Sequence, residues 1–277
     1  MTLSARNRLL GVGIGLSFLL GAGFAVNAPA VWKAAPAALA AASVRSTGLL
    51  QNIGGLLARP SAYAWAAAVA TCVLYAFITL GLLYYLFEKT QAPEILFFAF
   101  FALSFSLETL RCAIPLGLAN DWPPAYAASA ARILAFGRLF GLFALFTASV
   151  YAGGMNYQKH GRVLVIIGVV ALLIASRLPL DGSAWTSAAG LVPGYASMAA
   201  ASEYAIAAIA CLSFLVAAFT RGAPEFAYLG VGSLAALIGR EGLLNADNWI
   251  SFPLAALALA AGTWLTTRKI HAYYLWL

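Results

Sequence analysis

The chain has 277 residues, of which 63% are hydrophobic and only 9% charged, and its formal net charge is +7. Soluble globular domains carry about 25% charged residues, so this composition, with a mean hydropathy of +0.89, excludes a protein bathed in water on all sides. The basic residues are scattered between apolar stretches and form no run suited to a nucleic acid, which excludes that partner and leaves a membrane.

A bilayer core of about 30 Å needs about 20 apolar residues per helix. Apolar stretches fall at roughly 9–30, 63–87, 95–118, 129–152, 163–180, 197–219, 226–243 and 250–267. They are continuous and rich in Ala, Leu and Gly, whereas a β-barrel needs short alternating segments. The expected fold is therefore all-α: one membrane domain over 1–277, a polytopic bundle of about eight transmembrane helices. It divides into a first helix over 9–30, an extracytoplasmic connection over 31–61, a seven-helix bundle over 62–267 and a short tail over 268–277.

Taken in chain order, Arg6 and Arg8 precede the first stretch, whose Gly11, Gly15, Gly21 and Gly23 allow close approach of another helix. Two arginines, an apolar run and Ala25-Val26-Asn27-Ala28 also fit a secretory signal peptide or anchor. The run is longer than a usual signal core, so a retained helix is expected. The connection places Leu39, Val44, Leu49, Leu50, Ile53, Leu56 and Leu57 between polar Arg45, Ser46, Thr47, Gln51 and Asn52. That pattern predicts one or two amphipathic helices on the outer membrane surface, capping the bundle. The third stretch carries Ser104, Glu108, Arg111 and Pro115 at helical spacing. In the fourth, Gly137 and Gly141 bracket Arg138, with Arg132 nearer the outer end. Arg177 ends the fifth, Glu203 lies in the sixth, and the seventh places Ser233, Leu237 and Arg240 on one face, with Glu241 beside them. Turns are marked by Gln91-Ala92-Pro93, Asn120-Asp121-Trp122-Pro123-Pro124, Gly153-Gly154, Gly222-Ala223-Pro224 and Asn245-Ala246-Asp247-Asn248.

Orientation follows from lysine and arginine near the span ends. Arg6, Arg8, Lys89, Lys159, Arg162, Arg221, Arg268 and Lys269 share one side if every stretch spans. That side is expected to be the cytoplasm of a bacterial inner membrane, holding both termini. Trp122, Trp185, Trp249, Tyr84, Tyr85, Tyr273, Tyr274 and Trp276 fall near span ends, where amphipathic rings anchor.

Ionisable groups inside a membrane are costly, so each is a candidate for function. At 1.5 Å per residue, Glu108, Arg111, Arg132, Arg138, Glu203 and Arg240 all gather in the outer half. With Arg177 and Glu241 the layer counts five arginines against three glutamates. One reading is a set of interhelical ion pairs, such as Glu108 with Arg111 or Arg132 and Glu203 with Arg138, with the outermost arginines reaching the headgroups. The other is a cationic pocket open to the outside, because the planar arginine fork grips carboxylate or phosphate with two hydrogen bonds.

Enzyme chemistry finds little support. His160 and His271 lie in a turn and the tail, with no HExxH, and Asp121, Asp181 and Asp247 lie in turns. Lys269 is too close to the end of the last stretch for a buried Schiff base. Cys72, Cys112 and Cys211 sit in apolar stretches without metal-ligand spacing and read as core residues. Neither a metal nor a cofactor is expected. Without the first helix, the outer connection, seven spans and the string Arg221-Gly222-Ala223-Pro224-Glu225-Phe226-Ala227 are similar to bacterial seven-helix sensor modules. The expected function is a non-enzymatic binding or sensor-type subunit. It would recognise a small anionic ligand or lipid headgroup from outside, sit among membrane lipids, and act through a protein partner or as a homo-oligomer. A transporter or channel for a small anion or protons, and a structural subunit of a larger membrane complex, are the alternatives.

Overall fold

The computed structural model describes residues 2–42, 57, 59–90, 92–154 and 160–275, with the backbone alone at 181–183 and 275. The chain is 84% helical. Its helices are α1 (Leu3–Ala40), α2 (Ala62–Leu86), α3 (Pro93–Ser104), α4 (Ala113–Ala119), α5 (Pro124–Ala152), α6 (His160–Arg177), α7 (Ala196–Arg221), α8 (Glu225–Leu244) and α9 (Ser251–Leu275). A 3₁₀ segment over Phe105–Cys112 joins α3 to α4, and two short antiparallel strands, β1 (Leu180–Trp185) and β2 (Leu191–Pro193), join α6 to α7.

The helix ends carry ordinary punctuation. Pro93 and Pro124 open α3 and α5 at positions where a missing N–H costs nothing. Gly222 closes α7 at φ +60°, a left-handed conformation that glycine enters freely. Asn248 caps α9, its Oδ1 accepting from the amides of Ile250 at 3.1 Å and Ser251 at 2.8 Å.

Among the described residues, six continuous helical stretches are long and apolar enough to cross a membrane: Leu3–Ala40, Ala62–Leu86, Pro93–Ala119, Pro124–Ala152, His160–Arg177 and Ala196–Arg221. α8 and α9 have 20 and 25 residues, so at 1.5 Å per residue they reach about 30 Å or more. They carry more polar positions, several of them buried: Ser233 and Arg240 on α8, Thr263, Thr266 and Thr267 on α9.

Contacts between element ends show that the helices alternate in direction. At one end, Trp185 Nε1 donates to the Ala38 carbonyl at 3.0 Å, the Ser61 amide to the Asp247 carbonyl at 2.6 Å, and the Ser187 hydroxyl to Asp247 Oδ2 at 2.6 Å. This Asp247 end gathers the close of α1, the start of α2, the hairpin and the α8–α9 turn. At the other end, Arg6 donates to the carbonyls of Phe87, Glu88 and Thr90, capping α2. There Tyr274 donates to Glu94 Oε2 at 3.0 Å, and Arg221 lies 3.9 Å from Glu94 Oε1 and donates to the Tyr151 carbonyl at 3.1 Å. This Glu94 end gathers the starts of α1, α3 and α8 and the closes of α2, α5, α7 and α9.

Two expected boundaries are corrected. α1 does not stop near residue 30 but continues through Pro29 and Pro36 to Ala40. Val31, Ala34, Ala35 and Ala38 on this extension are buried, and Val31 and Ala35 pack with Trp65 and Val69 of α2, so burial carries the helix past its prolines. The expected amphipathic helices over the rest of the connection fall largely on 43–56, outside the described residues. The expected tail from 268 is helix instead, because α9 continues to Leu275, with Tyr273 against Phe226 and Tyr274 bonded to Glu94. The hairpin is an addition to the all-α expectation.

The core lies around α3, where Phe97, Phe98, Phe101 and Phe105 meet Leu142, Leu145 and Tyr151 of α5. The tightest helix pair is α8 with α9. A Cβ added at Gly239 would collide with the Leu259 backbone, one at Gly262 with the Ala236 backbone, and one at Gly242 would lie 2.6 Å from Ala255 Cβ. The two backbones touch directly, as small residues permit between helices in lipid. Gly239→Ala is expected to force them apart and destabilise the protein by about 1–3 kcal/mol, the usual cost of overpacking. Thermal unfolding in detergent checks it, with Gly23→Ala, where a Cβ meets nothing within 4 Å, expected to leave the melting temperature unlowered.

Candidate functional site: a charge layer near the Asp247 end

The site begins with a change of helix type. From Phe105 to Cys112 the third span winds as 3₁₀ helix. Hydroxyls along it turn back onto the chain: Ser104 donates to the Phe101 carbonyl, Ser106 to Leu103 and Thr109 to Ser106. Pro115, with no N–H, cannot serve the Arg111 carbonyl. At three residues per turn, positions three apart eclipse, so Arg111 stacks over Glu108, with Nη1 3.8 Å from Oε2. The α-helical face expected for Ser104, Glu108, Arg111 and Pro115 is replaced by this tighter winding.

The segment lies against the glycines of α5. A Cβ at Gly137 would lie 2.6 Å from Leu107 Cδ1, and one at Gly141 would overlap the Ser104 hydroxyl. This approach delivers Arg138 to Glu108. Arg138 Nε donates to Oε1 at 2.9 Å and Nη2 to Oε2 at 2.8 Å, a two-pronged fork of the strongest kind. Glu108 is 1% exposed, so its charge is compensated within the protein.

A second pair sits beside the first. Arg240 of α8 places Nη1 3.3 Å from Glu203 Oε2 on α7 and 3.7 Å from Glu241 Oε2, and its Nη2 donates to the Arg138 carbonyl at 3.2 Å. Arg111 turns its remaining donors to backbone: Nε and Nη2 to the Ala188 carbonyl, and Nη1 to the Leu243 carbonyl at 3.4 Å. Ala188 belongs to the hairpin tip, where Ala189 has φ +56°, a left-handed conformation costing a non-glycine residue roughly 1–2 kcal/mol.

The structure thus brings together Glu108, Arg111, Arg138, Glu203 and Arg240, and places Glu241 with them. Arg132 and Arg177 are exposed at the surface and join no ion pair among the described residues. The layer therefore holds three arginines against three glutamates, not the excess of two positive charges that the sequence suggests. Glu203 pairs with Arg240 rather than Arg138, whose fork is taken up by Glu108.

One face of the layer opens into a cavity of about 170 Å³ between α5, α6, α7 and the hairpin. Arg138, Ser202 and Glu203 supply its polar wall, and Leu134, Leu139, Ile174 and Leu191 are among its apolar ones. The side chains of Arg138 and Glu203 are 24% and 26% exposed, whereas Glu108 and Arg111 are sealed. With Nε and Nη2 on Glu108, Arg138 keeps Nη1 without a hydrogen bond among the described residues. The cavity exceeds the 10–15 Å³ that one water needs and falls short of the roughly 300 Å³ typical of drug-sized ligands, so it suits a small polar group.

Two features escaped the sequence reading. The hairpin that brings Ser187 and Ala188 inward is signalled only by Gly190 and the brief run Leu191-Val192-Pro193. Glu94, just ahead of the third apolar stretch, is buried against Tyr274 and Arg221, partners that lie far along the chain. Among the described residues no cluster of His, Cys, Asp and Glu could hold a metal ion, and all three cysteines are free.

No protein-family profile matches the chain, and no solved structure matches it. A curated relative, an uncharacterized protein of Treponema pallidum (strain Nichols), is 32% identical over 90 residues, which is 32% of this chain and 26% of the relative. The chain thus spans about a quarter of the length of the curated relative it matches.

Removing one partner of a buried pair leaves a charge uncompensated, at a cost of about 3–5 kcal/mol. Glu108→Gln is expected to destabilise the fold by that amount, because Arg138 and Arg111 both lose their carboxylate. Arg132→Gln, at the surface, is expected to stay within about 0.5 kcal/mol of the parent. Unfolding of both variants in the same detergent measures the contrast.

Proposed function

We propose that this chain is a non-enzymatic binding protein of a bacterial cytoplasmic membrane, crossing it eight times with both termini inside. It takes a small anionic ligand or lipid headgroup from the outer side and acts through a protein partner. The observation that carries the reading is Arg138: a guanidinium held in place by Glu108, yet partly open to a cavity beside Glu203. A carboxylate or phosphate meets the remaining donor of Arg138, and an amine or hydroxyl on the same ligand meets Glu203. The leucine and isoleucine walls exclude water, which strengthens both contacts.

The alternating helix ends support eight spans, since α8 and α9 connect the two ends as the six apolar helices do. The basic residues Arg6, Arg221 and Arg268 at the Glu94 end support a cytoplasmic assignment for it. The partial likeness to a bacterial protein fits a bacterial membrane. Single cysteines test this topology in cells with a membrane-impermeant maleimide. Asn120→Cys and Asn245→Cys are expected to react in intact cells, and Lys89→Cys only after permeabilisation. Protection of Asn245→Cys would sink the eighth crossing.

The equal count of arginine and glutamate favours a second reading, in which the layer only fixes helix register in a structural subunit. Mass spectrometry of molecules that co-purify with the wild type and with Arg138→Lys separates the two. Lysine keeps the charge but loses the fork. A small anion or headgroup that falls at least tenfold in the variant supports binding at Arg138; an unchanged inventory leaves the structural role alone.

A further inference from the structure

A groove of about 470 Å³ runs along the exposed seam between α2 and α9 and shares no lining residue with the cavity at Arg138. Leu74, Ile78 and Leu82 form one wall, and Leu257, Ala260 and Trp264 the other. Its floor is closed by a hydrogen bond between the hydroxyls of Tyr75 and Thr263 at 2.7 Å, and Thr267 returns its hydroxyl to the Thr263 carbonyl at 2.8 Å. The hydroxyls of Tyr75, Thr263 and Thr267 are thus bonded within the protein, and the leucine, isoleucine and tryptophan walls offer apolar contact to whatever lies in the groove.

The groove extends from Thr71 to Leu82 on α2 and from Ala256 to Thr267 on α9, a length of about 16 Å at 1.5 Å per residue. One leaflet of the hydrocarbon core is about 15 Å, half of the roughly 30 Å whole. At its α9 C-terminal mouth, one residue past Thr267, stands Arg268. Its guanidinium lies 5.0 Å over the ring of Trp264, the residue that forms the groove wall there. The stacking holds a cation at the depth where the apolar groove ends, and both side chains are exposed. Lys269, over the ring of Tyr228 at 4.2 Å, adds a second charge at the same level.

We infer that this groove is a binding site for an anionic glycerophospholipid of the leaflet at the Glu94 end, with one acyl chain along the α2–α9 seam and the phosphate on Arg268. Length, apolar walls and a positioned arginine at one mouth are the three features such a lipid matches together.

Native mass spectrometry of the full chain, released from nanodiscs of equal parts phosphatidylglycerol and phosphatidylcholine, tests the site. Wild type is expected to retain phosphatidylglycerol in preference to phosphatidylcholine. Arg268→Gln is expected to lower that retention about fivefold, as loss of one basic residue near a phosphate does. Ala260→Phe fills the exposed groove and is expected to remove both lipids. Equal retention by wild type, Arg268→Gln and Ala260→Phe overturns the proposal. So does a wild-type dimer that carries no lipid and that Ala260→Phe converts to monomer, since the groove then belongs to a second copy.

Discussion

A charge inside a hydrocarbon layer has no water to turn to, and this constraint organises the structure around Glu108. Its two oxygens meet the fork of Arg138 and the stacked Arg111. The fork requires close approach of the third and fourth spans, which Gly137 and Gly141 allow, and the stacking requires the 3₁₀ winding of Phe105–Cys112. Arg111 then has donors left over, and the hairpin supplies the Ala188 carbonyl to them. Each element near the Asp247 end is thus placed by the need to satisfy a charge introduced by the one before it.

The hydrophobic effect does not hold helices together in lipid, where tails are as apolar as leucine. Three other devices divide the work. Ion pairs link the 3₁₀ segment to α5, and α7 to α8, near the Asp247 end. Backbone contact through glycines links α8 to α9. Arg6 on the carbonyls that end α2, and Glu94 against Tyr274 and Arg221, close the opposite end. Aromatic packing, such as Phe97 stacked on Tyr151 at 5.2 Å, fills the volume between them.

Much of this was legible in the sequence. Span positions follow from apolar run length alone, because a bilayer fixes the length a helix needs, and the starts of α2, α7, α8 and α9 lie within a residue of their expected places. The clustering of Glu108, Arg111, Arg138, Glu203 and Arg240 followed from depth counting, which uses only helix rise. Partner choice did not. Rotation about the helix axis decides whether Glu203 meets Arg138 or Arg240, and hydropathy does not report it; in the third span the 3₁₀ winding likewise sets how Arg111 faces Glu108. Arg132 and Arg177 were counted with the layer because depth says nothing about facing. Asp247 reads as a turn residue and Glu94 carries no signal, since their burial arises from contacts to Ser187 and Tyr274, distant in sequence.

The glycine contact between α8 and α9 also sets how the molecule can move. Two helices whose backbones touch over Gly232, Gly239 and Gly262 have no side-chain layer in which to shear, so they behave as a single stiff rod pair. Arg240 rides near one end of that pair and Arg268 near the other. A tilt that shifts Arg240 against Glu203 must also swing Arg268 at the Glu94 end, a mechanical connection along the length of the pair that needs no chain of intervening contacts.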